Sequence, residues 1–310
     1  MNYATVIKQV GRGREGARPI PRLAAAELFG DLLDGRVPDV HVGALLLAYR
    51  IKGESSDELA GFLDALHARV PVVATPARTV VIPSYNGART MANLVPLLAL
   101  ALARRGVPVL VHGVASAPER VTTAEILDAL GVAPCGDAEV AAQALERACF
   151  AFMPVDALAP GLARLLDLRW VLGVRNSAHT VAKMLAPVAD PLLLASATHP
   201  DYLAAMRAFY ATHPSNVLLM RGTQGEAVAN ARRAQAIDWL HDGTAERVIE
   251  AEEGPLVALP ELPAIDAAST AAWIRRVLAG TAPMPASVAR QVEVVASIAL
   301  RGAALPERAA

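Results

Sequence analysis

From residue 79 onward, short Val-, Ile- and Leu-rich runs alternate with helix-length stretches, and this alternation limits the architecture most. Runs at 79–82, 107–111, 150–154, 192–196 and 217–220 read as buried strands. Stretches at 90–105, 121–130 and 201–211 read as helices. Strand–helix alternation predicts an α/β domain with a largely parallel central sheet. The first seventy residues lack such runs. Apolar positions at helical spacing predict helices over 21–33 and 40–51, and Ser55-Ser56-Asp57-Glu58 caps a third over 58–69. The helix over 40–51 is nearly all apolar, so cover is expected on most of its sides. Pro71 and Pro76 bracket a linker. The expected organisation is a small all-helical domain, 1–72, joined by helices from about 160–186, and a larger α/β domain, 77–310.

A length of 310 residues at 54% hydrophobic content supports a large core. The formal charge of −1 excludes a global basic field. Charge is nonetheless segregated. Residues 1–22 carry Lys8, Arg12, Arg14, Arg18 and Arg22 against Glu15, and residues 242–266 carry seven acids against Arg247. Local charge steers polyanions more than net charge does. The two cysteines, Cys135 and Cys149, make neither a disulfide framework nor a zinc site. The N-terminus has no signal-peptide core, and the apolar stretch 94–103 is short for a membrane span of ~20 residues. The expectation is a cytoplasmic protein.

The loop Pro83-Ser84-Tyr85-Asn86-Gly87-Ala88-Arg89 lies between the first strand and a helix expected to start at Thr90. A strand–loop–helix turn presents free amides and a positive dipole end to an anion. This loop has one glycine where a phosphate cradle has several. Ser84, Asn86, Gly87 and Arg89 are read as a site for one anion, although Asn-Gly also makes an ordinary tight turn. Arg175, His179 and Lys183 stand at i, i+4 and i+8. On one helix they form a cationic stripe about 12 Å long. Such a stripe is either an ordinary solvated face or a track for a phosphate backbone, supported by Arg169 and the basic N-terminal segment. On the second reading His179 contributes below about pH 6.5.

Residues 28–66 resemble the N-terminal helical region of anthranilate phosphoribosyltransferases. Tyr49-Arg50-Ile51-Lys52-Gly53-Glu54 with Glu58-Leu59-Ala60-Gly61 is the most specific part. The similarity continues through Gly113, Leu168-Arg169, Leu172-Gly173-Val174-Arg175 and Gly222. It implies a homodimer through the helical domain, and a cleft between domains for phosphoribosyl pyrophosphate and an aromatic amine. The catalytic motifs depart from that family. Its Gly-Thr-Gly-Gly-Asp loop is replaced by 84–89, and Asn93 is followed by Leu94-Val95-Pro96 where the family has hydroxyls. Its Lys-His-Gly-Asn-Arg is Val111-His112-Gly113-Val114-Ala115, and its magnesium-holding Asp-Glu is Gly225-Glu226. Each lost contact to a departing pyrophosphate removes on the order of 2–4 kcal/mol.

Residues 82–89 match throughout the Ile-Pro-Ser-Tyr-Asn-Gly-Ala-Arg loop of the YbiB-like subgroup. That subgroup is described as nucleic-acid-binding and lacking the biosynthetic activity. The resemblance implies a degenerate phosphoribosyltransferase-fold homodimer that binds nucleic acid through its backbone, at Arg169, Arg175, His179 and Lys183. Asn93 and His112 join the anion site as inherited cleft residues. No cofactor is expected. The alternative is an active phosphoribosyl or glycosyl transferase with an acceptor other than anthranilate, and only that reading needs magnesium.

Overall fold

The computed structural model describes residues 1–254 and 261–301. Five helices come first: α1 (Tyr3–Val10), α2 (Gly13–Gly16), α3 (Arg22–Leu33), α4 (Asp39–Lys52) and α5 (Ser56–His67). Then follow β1 (Thr79–Ser84), α6 (Val95–Ala103), β2 (Val109–Gly113), α7 (Thr123–Ala129), α8 (Ala138–Ala148) and β3 (Phe150–Pro154). Next come α9 (Val155–Leu158), α10 (Pro160–Leu172), α11 (Ser177–Ala182), β4 (Pro191–Ala197), α12 (Pro200–Thr212) and β5 (Asn216–Arg221). The hairpin β6 (Ile237–His241) and β7 (Thr244–Ile249) precedes α13 (Ala267–Leu278) and α14 (Ala286–Ala299).

The seven strands of the described residues form one sheet in the order β3-β2-β1-β4-β5-β6-β7. The first five are parallel, and the hairpin adds an antiparallel edge. The expected α/β class with a largely parallel sheet and a helical N-terminal region is what the chain adopts. Successive strand residues face opposite sides. Val81, Leu110 and Leu193 share a core with the N-terminal helices, and Val80, Ile82, Val109 and Leu192 pack on the other face with α6 and α14. After β3 the chain leaves the sheet through α9–α11, which pack on α3, α4 and α5, and returns at β4 on the far side of β1. The strand order therefore reverses between β1 and β4. A crevice opens above the carboxyl ends of parallel strands at such a switch point.

Two expectations need correction. The helix expected from Thr90 starts at Val95. Asn93 Oδ1 accepts from the Val95 amide at 3.1 Å, and Pro96 occupies the first turn, where a missing N–H costs nothing. Residues 89 and 90 instead serve the loop, so no helix dipole lies directly behind it. The second concerns α4, which is buried along Val42, Leu45, Leu46, Ala48 and Tyr49 but leaves one apolar face open, with Val40 (77% exposed), Leu47 (42%) and Ile51 (61%) on it.

Candidate functional site

The loop after β1 and the loop after β5 meet above the sheet and, with the residues that follow β4, line a cavity of about 410 Å³. Its walls carry Arg50 from α4, Arg89 from the β1 loop, Arg120 before α7, Arg169 from α10, and Arg175 and Lys183 flanking α11. Arg50 and Arg89 are exposed at the mouth, and the others are half-buried. Among the described residues, none of these six cations forms an ion pair with a carboxylate. Arg50 donates to Tyr202 Oη at 2.7 Å, Arg120 reaches the Gly87 carbonyl at 3.4 Å, and Arg169 lies over Trp170.

Burial and mutual repulsion act on the deeper cations. Burial, then the guanidiniums of Arg169 and Arg120, pull Arg175 down to about 10. Burial pulls Lys183 down to about 8, with Glu226 opposing and Arg175 adding. Two carboxylates lie near, Glu54 in the cavity wall and Glu226 beside Lys183 and Arg175, so the six cations outnumber the acids, and an excess of like charge favours an incoming anion.

Arg175, His179 and Lys183 do come together, but not as a stripe on one helix face. The helix α11 spans only Ser177–Ala182, and these residues point into the cleft. Arg175 donates to Asn86 Oδ1, and Lys183 Nζ donates to the carbonyls of Gly225 (2.7 Å) and Ser196 (3.3 Å). His179 is buried, and its Nδ1 accepts from the Asn176 amide as part of the α11 cap. Burial, then Arg175 and Arg169, hold it at about 3, so the expected protonation near pH 6.5 does not occur. The basic N-terminal segment is not an arm either. α1 packs on α4 through Val6 and Val10, and Arg22 pairs with Asp64. The side chain of Arg14 lies outside the described residues.

The residues expected to hold one anion have other work. Ser84 Oγ bonds Thr123 Oγ1 at 2.7 Å, and Asn93 Nδ2 donates to the same hydroxyl at 3.0 Å. His112 is fully buried between Tyr85 Oη (2.7 Å from Nδ1) and the Leu185 carbonyl (3.1 Å from Nε2). The carbonyl requires a proton on Nε2, so Nδ1 accepts from the tyrosine, and burial holds the ring neutral at about 4. The amides of Asn86 and Gly87 donate to Glu226 Oε1 at 2.8 and 2.7 Å. Of this group, Arg89 alone presents an exposed side chain to the cleft.

A magnesium ion, as the transferase reading requires, needs several oxygen ligands. Among the described residues no cluster of three His, Cys, Asp or Glu is present. The one acid at the loop, Glu226, has an oxygen committed to two amides and the Lys183 ammonium for a neighbour. These residues do not fit a magnesium site.

Residues 4–70 match the Glycosyl transferase family, helical bundle domain. The chain is 42% identical over 299 residues to the uncharacterized protein YbiB of Escherichia coli (strain K12), covering 94% of this chain and 92% of that one. It is 30% identical over 294 residues to the anthranilate phosphoribosyltransferase of Methylobacterium nodulans, covering 92% and 86%. The chain belongs to the anthranilate phosphoribosyltransferase-like superfamily. Solved members share the fold. The enzyme from Thermus thermophilus superposes with a TM-score of 0.73 at 23% identity, covering 96% of this chain and 88% of that one. The Saccharomyces cerevisiae enzyme, solved in complex with PRPP and Mg, gives 0.71 at 13% identity over the same shares.

Arg50, Arg120 and the Gln224–Glu226 contact were not singled out from the sequence as site residues. Arg50 stands inside the segment that carries the superfamily resemblance. Arg120 follows Glu119, a non-glycine residue at φ 57. A Gln-Gly-Glu run at the superfamily's acid-pair position was the available signal for the third.

Proposed function

We propose that this superfamily member binds the phosphate backbone of nucleic acid along its cleft, without strong sequence preference, and does not transfer phosphoribosyl groups. The observation that carries the reading is the convergence of six cations with no partner carboxylate among the described residues. Guanidiniums that line a walled cleft from α4 to α11 suit a chain of phosphates, and backbone contacts give affinity without base readout. Only 4% of the residues are aromatic, so the binding energy is mainly electrostatic. A homodimer would add a second cleft to the same ligand through effective concentration. The rival, a transferase with another acceptor, draws on the superfamily alone. The amides already taken by Glu226 favour binding over catalysis.

A titration with random-sequence DNA at several salt concentrations tests this. Arg169→Ala with Arg175→Ala should weaken all sequences alike and reduce the salt slope by about 0.7 to 0.9 per lost contact. A control at Arg105, which pairs with Glu293 far from the cleft, should leave both unchanged. An unaltered slope in the folded double variant would remove the assignment.

A further inference from the structure

The loop after β1 already holds an anion, and it is the chain's own. Two consecutive amides, Asn86 and Gly87, converge on Glu226 Oε1. Two more, Arg89 and Thr90, converge on Gln224 Oε1 at 2.8 and 2.7 Å, and the Thr90 hydroxyl adds a third bond at 3.0 Å. Successive amides turned toward one point form the concavity that backbone offers to a phosphate.

The segment that fills it is shaped for the purpose. Thr223 and Glu226 exchange backbone bonds at 3.0 Å, and Gln224 (φ 54) and Gly225 (φ 92) both adopt left-handed conformations to close the turn. A Cβ on Gly225 would come within 2.3 Å of Asn86 Nδ2, so only glycine lets the turn sit this close. Asn86 Nδ2 donates to the Gly225 carbonyl at 2.7 Å. Glu226 is 2% exposed, and its Oε2 has no hydrogen-bond partner. A buried, half-satisfied carboxylate is costly unless its charge is needed. Here that charge faces two converging amides and the cations Lys183 and Arg175.

We infer that Glu226 is an internal substitute for an oxyanion. The loop after β1 is a latent phosphate-binding site that the chain's own carboxylate keeps filled, and Gln224 closes its second pair of amides. The ligand class is inorganic phosphate or a phosphate group of similar size. The site adjoins the arginine-lined walls, with Arg175 on Asn86 and Lys183 on Gly225, but it is built from backbone amides, so the inference does not rest on the nucleic-acid reading.

Glu226→Ala removes the carboxylate, and Glu226→Gln keeps an acceptor oxygen for the same two amides. Thermal unfolding is compared in sodium chloride and in inorganic phosphate at matched ionic strength, and the Gly87 amide is followed in protein carrying ¹⁵N-glycine. Phosphate should raise the Tm of Glu226→Ala by several degrees more than that of the wild type or Glu226→Gln. It should shift the Gly87 resonance in Glu226→Ala alone, with binding at least tenfold tighter than in the wild type. Phosphate held on the cleft walls would move all three proteins alike. A Gly87 resonance that stays fixed in Glu226→Ala, or moves equally in the wild type, would overturn the inference. If Glu226→Ala does not fold in chloride, it is refolded in phosphate. Recovery there supports the site, and failure in both buffers overturns it.

Discussion

At the scale of single residues, the cleft turns on how burial treats its cations. Lys183 has two carbonyl partners and little water, and loses its proton near pH 8 where an exposed lysine would hold it past 10. His179, deeper in charge terms because Arg175 and Arg169 face it, stays neutral down to about pH 3. The two give a joint expectation for DNA binding. As pH rises from 7 to 9 the Lys183 ammonium is lost, so affinity falls and the salt slope shrinks by about 0.7 to 0.9. As pH falls from 7 to 5 nothing is gained from His179. Fluorescence anisotropy of labelled random-sequence DNA at these pH values checks both. Lys183→Arg should abolish the alkaline loss, since arginine keeps its charge across this range.

At the scale of elements, the α4–α5 junction shows how much local sequence can specify. Ser55 caps α5 with a reciprocal capping box, and Glu58 at N3 returns the bond. Glu58 is fully buried and also accepts from Tyr49 Oη, the Ile20 amide and Lys52 Nζ (2.6 Å). Removing it leaves a nearly buried ammonium without its ion-pair partner. Glu58→Ala should therefore destabilise the protein by roughly 3–5 kcal/mol, read as a drop in urea midpoint, and far more than loss of a cap alone. The caps and the strand–helix alternation were legible in the sequence because each depends on neighbours a few residues apart. The tertiary partner of Glu58, Lys52, was in the quoted motif without its role. The start of α6 was not legible, since the carboxamide that draws residues 89 and 90 into a loop is Gln224, 134 positions from Thr90. The cationic cleft was legible in larger part. Arg89, Arg169, Arg175 and Lys183 were named, but Arg50 and Arg120 reach it from elements that only the fold brings near.

At the scale of the whole molecule, the open face of α4 is the feature from which we propose a dimer. Val40, Leu47 and Ile51 form a stripe, and Gly43 lies against Leu172 at the end of α10, where Trp170 (51% exposed) and Val171 (80%) are also open. Contiguous exposed apolar surface of this kind marks an association site, and a second copy is the occupant the superfamily resemblance suggests. The wild type is expected to sediment as a dimer at micromolar concentration. Leu47→Lys with Val171→Lys should sediment as a folded monomer. A wild-type monomer at that concentration would set the dimer aside. Among the described residues, no helix is long and apolar enough to cross a membrane.

The excursion of α10 and α11 into the helical region also has a consequence for biosynthesis. Leu162, Leu165 and Leu166 supply part of the core that α3–α5 enclose, and Gly161 packs so tightly on Leu33 that a Cβ would lie 2.3 Å from its carbonyl oxygen. Arg164 then ties α10 to the Leu32 carbonyl at 2.5 Å. The ribosome delivers α3–α5 first, at about 5–20 residues per second, and the wall they need emerges some hundred residues later. For several seconds the nascent chain carries an unfinished apolar surface. The first domain in sequence thus cannot close until the first three strands of the second have also been made, and the emerging chain has a built-in interval in which a chaperone would find it.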